Sequence, residues 1–368
     1  MPKPKKTPLH GWTKAEKLAM FRKIWPNLSE KEFHEDDYSM LLEYIASEMM
    51  MLEKHRHIFA VGSLDETLDL LQDLKHIILI SRDHALNIVK QRFPSGAPED
   101  EAILRSIDLT IRLWLPLDIR SSGLDSSGII VGSVLPQPTS VKWTSSVSLK
   151  ELVEAQFVKH EPNRSSSRAR INPALTIAYL VNTCGFRVYW THNLADHLTI
   201  DWKIKVVTVY EHKICLWNHL KSTEESAVPK AVLEEAIDTL NLLFPFGDAP
   251  TRGFLSRQEK PFYSLGFCKR PRVLELEKYS YWQEKVEDLI DVFNMPPQGL
   301  QQLKLDKDRR NFMQFATFWI ATVVAILTIL SIAFGTVSTV YAVKQYKLAL
   351  AQACSAPGAA SQLPQFCP

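Results

Sequence analysis

From Asn311 to Val343 the chain carries no charged residue, and that stretch constrains the protein more than any other. Its centre runs Phe318-Trp319-Ile320-Ala321-Thr322-Val323-Val324-Ala325-Ile326-Leu327 and continues apolar through Phe334. A bilayer-spanning helix needs about 20 predominantly apolar residues, whereas a soluble core helix of that length keeps a polar face. Trp319 and Tyr341 bracket the run as the aromatic belts of a bilayer would. At 1.5 Å per residue they stand roughly 33 Å apart, close to a hydrocarbon thickness of about 30 Å. The expectation is a single-pass protein with its transmembrane helix over 315–343.

Charge gives the expected orientation. Lys304, Lys307, Arg309 and Arg310 precede the span, and only Lys344 and Lys347 follow it closely. The excess of basic residues belongs on the cytosolic side, which puts the large N-terminal part there and the 344–368 tail in a lumenal or extracellular space. The basic start Lys3-Pro4-Lys5-Lys6 leads to Gly11-Trp12-Thr13-Lys14 without an apolar run, so it reads as a disordered tail (1–11) and not a secretory signal. The anchor is therefore expected to be tail-anchored and inserted late. The sequons Asn27-Leu28-Ser29 and Asn163-Arg164-Ser165 would face the cytosol unused.

Composition excludes some partners. The 368 residues are 46% hydrophobic and 23% charged with net charge +2, ordinary for a globular protein. Acidic and basic residues are mixed along the chain, so no nucleic-acid partner is expected. The five cysteines, at 184, 215, 268, 354 and 367, have no CxxC spacing. Three would lie as free thiols in a reducing compartment, while Cys354 and Cys367 could form a disulfide or stay unpaired in the tail.

The pre-anchor part reads as a helical region over 12–120, a loop and linker over 121–170 with one short helix, and an α+β region over 171–295. A charged juxtamembrane linker follows over 296–314. Helices are expected at Thr13–Trp25, Tyr38–His57, Leu64–Phe93 (broken near Ser81 or continuous) and from Pro98 to about Pro116. Further helices are expected at Leu149–Val158, Pro173–Cys184, Pro229–Phe244 and Lys278–Phe293. Phe186–Trp190 and Lys203–Tyr210 have strand character, with a helical turn over Thr191–Leu198 between them. The fold class is thus α+β, a mainly α-helical body with a small β element, plus one C-terminal transmembrane helix.

Several short blocks resemble a large group of uncharacterised proteins from filamentous ascomycete fungi. They are Gly185-Phe186 through Trp190-Thr191-His192-Asn193-Leu194-Ala195-Asp196-His197-Leu198, Ser106-Ile107-Asp108-Leu109 with Arg112-Leu113-Trp114-Leu115, and Thr239-Leu240-Asn241-Leu242-Leu243-Phe244-Pro245. Arg309-Arg310-Asn311 and Gln314-Phe315-Ala316-Thr317-Phe318-Trp319 are similar too. The resemblance implies a cytosolic helical domain with a C-terminal anchor, and it implies no chemistry.

No nucleophile elbow, Walker loop, dinucleotide fingerprint or HExxH helix occurs in the sequence. The one chemical constellation lies between Cys184 and His219. His192, Asp196 and His197 are the candidate catalytic residues, because a His–Asp pair can move protons. Cys184, His192, His197, Cys215 and His219 are the candidate metal ligands, because thiolate and imidazole bind zinc, although their spacing matches no zinc pattern. The competing reading makes Trp190, Leu194 and Leu198 core residues while Asn193, Asp196 and His197 cap the turn. No cofactor is expected. An interaction or scaffolding protein at a cytosolic membrane face is the leading function, with a membrane-anchored enzyme using the 184–219 region as the alternative. Partners would be the bilayer, a protein, and a second copy through the small-residue row Ser331, Gly335, Thr339.

Overall fold

The computed structural model describes residues 8–93, 98–121, 139–160, 170–224, 226–260, 262, 264–295, 312–355, 357, 365 and 366. Lys3–Lys6, Arg164–Arg168 with the Asn163 sequon, the juxtamembrane charges Lys304–Arg310 and Cys367 lie outside the described residues. The chain divides into two units, Met1–Met295 and Pro296–Pro368.

The first unit is the α+β body. Its opening helices are α1 (Lys14–Ile24), α2 (Ser39–Lys54), α3 (Leu64–His76), α4 (Arg82–Lys90) and α5 (Asp100–Trp114). Their starts follow local chemistry. Thr13 caps α1 in a reciprocal box with Glu16, and Ser63 caps α3 by accepting from the Glu66 N–H. The 64–93 stretch is two helices, separated at 77–81 and pinned there by Arg82 N–H to Val147 O at 3.2 Å. Short strands β1 (Ile119–Arg120) and β2 (Val141–Lys142) pair in parallel, and α6 (Leu149–Gln156) follows behind a Ser148–Glu151 capping box.

After α7 (Ile177–Asn182) come β3 (Arg187–Thr191), β4 (Ile200–Asp201) and β5 (Val206–Tyr210). Gly185, at φ 77°, makes the turn from helix into strand that a side chain would resist. The sheet order is β3-β5-β4: β3 lies parallel to β5 from Arg187↔Val206 to Thr191↔Tyr210, and β4 is antiparallel to β5. Helices α8 (Lys213–Lys221), α9 (Lys230–Leu243), α10 (Ala249–Arg257) and α11 (Gln283–Asn294) complete the body. α8 and α10 are absent from the sequence-based expectation, because α8 is nine residues long with buried residues most of the way round and no apolar stripe.

One apolar core runs through the whole body, from Phe21 and Tyr38 through Ile107 and Trp143 to Leu240 and Val286. Glu235 of α9 is buried in it and accepts the Ser280, Tyr281 and Trp282 N–H groups at 2.8 Å each. Those donors lie at the start of α11, where backbone N–H groups lack helical partners. Lys285 of α11 in turn donates to the His197 carbonyl at 2.7 Å and the Ala195 carbonyl at 3.2 Å, tying the helix to the turn after β3.

The second unit contains one long helix, α12 (Phe312–Cys354, 43 residues). It is long and apolar enough to cross a membrane, and none of its most apolar stretch is buried. The helix continues past the expected end at Val343, because Lys344-Gln345-Tyr346-Lys347-Leu348-Ala349-Leu350 contains no breaker before Pro357. At 1.5 Å per residue it is about 65 Å long, so roughly half suffices for the hydrocarbon. Cys184, Cys215 and Cys268 are in the thiol form, and Cys354 is disulfide-bonded.

Candidate functional site

Parallel pairing creates a chemical convergence at one end of the sheet. Thr191 and Tyr210 are register partners and the last residues of β3 and β5. The next residues, His192 on one strand and Glu211-His212 on the other, therefore leave the sheet side by side. The Glu211 N–H donates to Thr191 O at 3.0 Å and carries the ladder past the strand ends. In open sheets with parallel strands, the carboxyl ends are where ligands are most often held.

The donor atoms meet closely. His192 Nδ1 lies 2.7 Å from Glu211 Oε1 and 2.7 Å from His212 Nε2, and the latter two are 3.8 Å apart. Glu211 Oε2 accepts from Lys260 Nζ at 2.6 Å, and that ammonium also sits 5.1 Å from the centre of the Trp190 ring. Glu211 and His212 are buried, whereas the His192 side chain is 48% exposed. Burial alone would raise the Glu211 carboxyl. The hydrogen bonds from His192 and Lys260, with the electrostatic pull of the groups around it, outweigh it and hold the carboxyl down at about 2. Burial pushes His212 down to about 3, so its ring is neutral at pH 7.

His192 opens onto a cleft of about 220 Å³ lined by Tyr44, Glu48, Arg112, Asp118 and Arg120. The Tyr44 ring stacks on His192 with centroids 4.4 Å apart. Arg112 pairs with Glu48 at 2.9 Å, and Arg120 with Asp118 at 3.1 Å. The cleft thus combines one open imidazole, a buried carboxylate behind it and alternating fixed charges. Comparison of the chain with protein-family models, curated proteins and solved structures finds no match.

The other sequence candidates occupy different places. His197 is fully buried: its Nδ1 accepts the Tyr210 N–H at 3.1 Å. Its Nε2–H faces Thr239 Oγ1 at 2.8 Å, an oxygen whose own proton goes to Ala236 O. Burial holds its pKa well below the ordinary histidine value. Asp196 accepts the Thr139 N–H and the Asn193 amide, and Asn193 caps the 3₁₀ turn Leu194–Asp196 through the Ala195 N–H. His219 donates to Trp114 O at 2.8 Å inside the core, and burial lowers it to about 4. Burial raises the Cys215 thiol to about 12, and Cys184 Sγ reaches Val292 O at 3.6 Å. Among the described residues, the group of three or more ligating side chains that converges is His192, Glu211 and His212.

Glu211 and His212 were missed from the sequence because nothing there pairs position 192 with 211. The available signal was an acid and a histidine immediately after the strand run ending at Tyr210, matching a histidine immediately after the run ending near Thr191.

Proposed function

We propose that this is a single-pass membrane protein that holds its 1–295 body at the cytosolic face of a bilayer, where the body serves as an interaction or scaffolding module. The observation that carries the reading is α12, whose most apolar stretch is unburied and therefore needs lipid to cover it. The basic residues ahead of the helix support a cytosolic body. So does the distribution of sulfur: reduced thiols at Cys184, Cys215 and Cys268, and a disulfide-bonded Cys354 on the other side of the span. Adjacent Met50 and Met51 on α2, 45% and 51% exposed, offer an adaptable apolar contact for a protein partner. The row Ser331, Gly335, Thr339 would let a second copy of the helix approach closely.

A second reading, a membrane-anchored enzyme, is favoured by one observation: the convergence of His192, Glu211 and His212 behind an open cleft. The fungal family resemblance accords with either reading.

Orientation is tested by glycosylation. A sequon engineered into the tail beyond Cys354 should be modified, and the native sequons at Asn27 and Asn163 should not. A glycosidase-sensitive mass shift on the native protein would overturn the cytosolic body. For Asn27 the structure adds a reason, since its amide already donates to Thr223 Oγ1 at 2.7 Å.

A further inference from the structure

Three lone-pair-bearing atoms face one another at the strand ends: His192 Nδ1, His212 Nε2 and Glu211 Oε1, all within 4.8 Å. Two imidazole nitrogens and a carboxylate oxygen arranged this way have one hydrogen-bonding proton to share between two short contacts. A single N–H on His192 Nδ1 has two acceptors at 2.7 Å, and if His212 Nε2 carries the proton instead, the His192 lone pair faces the Glu211 carboxylate. A cation at the centre is attracted by all three atoms at once.

We propose that His192, Glu211 and His212 form a binding site for one divalent transition-metal ion of the zinc class. The donor set is the first argument. Two imidazoles and one carboxylate bind such ions at about 2.0–2.2 Å, so adjacent donors around a tetrahedral ion stand roughly 3.4 Å apart. The observed separations of 2.7, 2.7 and 3.8 Å straddle that value, and a small rotation of the half-exposed His192 ring equalises them.

The supporting contacts are the second argument. Lys260 holds the outer oxygen of Glu211 at 2.6 Å, which turns Oε1 toward the two rings. The Tyr44 ring stacked on His192 limits that ring to sliding in its plane. His212 Nδ1 is buried without a hydrogen-bond partner among the described residues, so packing against the Tyr44 and Tyr210 rings, 5.5 and 5.8 Å away between centroids, sets the orientation of its ring. Three protein donors leave at least one coordination position, the arrangement of zinc sites that accept water or a small ligand. The cleft beside His192 supplies the approach. The site binds its ion whether or not the protein turns over a substrate.

The test uses the full chain purified in detergent micelles and equilibrated with zinc, then with cobalt(II). About one equivalent of zinc should be retained after passage over a chelating resin, and cobalt should show d–d absorption of a site with nitrogen and oxygen donors. Loss of an outer partner of a metal ligand costs about 10–100-fold in affinity, and loss of a ligand costs no less. His192→Ala should therefore weaken zinc binding at least about tenfold while leaving the far-ultraviolet circular dichroism unchanged, because its side chain is half exposed. The exposed His57→Ala variant should bind like wild type. Equal zinc retention by wild type and His192→Ala, or none by either, overturns the proposal.

Discussion

His192 Nδ1 and Glu211 Oε1 are 2.7 Å apart because each residue is the first to leave one of two parallel strands that end in register at Thr191 and Tyr210. The contact is made by topology, across nineteen positions of sequence, and it brings His192 to Glu211 and His212. It also separates two histidines that the sequence places only five residues apart. His192 faces an open cleft, while His197 is sealed under the sheet against Tyr210 and Thr239.

That separation predicts different consequences of removing them. His197→Ala leaves the Tyr210 N–H unpaired and opens a cavity, so unfolding of the full chain in micelles should show a loss of about 2–4 kcal/mol. His192→Ala should cost less than about 1 kcal/mol. Because the folded-state pKa of His197 is depressed, its contribution is present above pH 6.5 and is lost as pH falls below that value. The difference between wild type and His197→Gln should shrink accordingly on acidification. A pH-independent difference would argue against a neutral buried ring.

Asp108 gives the opposite slope. It accepts the Ser121 N–H at 2.7 Å and the Ser121 hydroxyl at 2.5 Å, and burial raises it to about 6. A raised carboxyl favours folding below its ordinary pKa and loses that benefit as pH climbs through about 6, worth about 3 kcal/mol in all. Asp108→Asn removes the titration. Its stability relative to wild type should rise between pH 4 and 7, as followed by denaturant unfolding, and a flat difference would contradict the burial argument.

Much of this architecture was legible in sequence, for reasons that differ by element. The apolar run ending at Val343 and the caps at Thr13, Ser63 and Ser148 act locally, so α1, α3, α6 and α12 could be read from neighbouring residues. α8 could not, because Cys215, Leu216, Asn218 and His219 are buried on several faces at once. Sequence proximity grouped Cys215 and His219 with His192, but α8 turns both into the core. Glu211 and His212 became visible only when the pairing of β3 with β5 set the register.

The tail should behave as an oxidised element. Cys354 is disulfide-bonded, while the expected partner Cys367 lies outside the described residues. Maleimide labelling of the denatured, unreduced protein should modify three cysteines, rising to five after reduction. Equal labelling with and without reductant would contradict a disulfide.

Self-association of α12 predicts a contrast between two substitutions. A Cβ at Gly335 would meet nothing within 4 Å in the single chain, so Gly335→Leu should leave the helix itself intact. Across a close helix–helix contact the same side chain would clash. Dimerisation in a membrane two-hybrid assay should fall for Gly335→Leu and persist for Leu327→Ile. Equal signals would make the row ordinary lipid-facing surface.

Membrane anchorage through α12 is tested most directly by alkaline extraction and protease protection of sealed membranes carrying the full chain. The protein should stay in the membrane pellet at alkaline pH, and external protease should digest the 1–295 body while protecting a fragment that contains α12 and the tail. Release into the supernatant would contradict the anchor, and protection of the body would contradict its orientation.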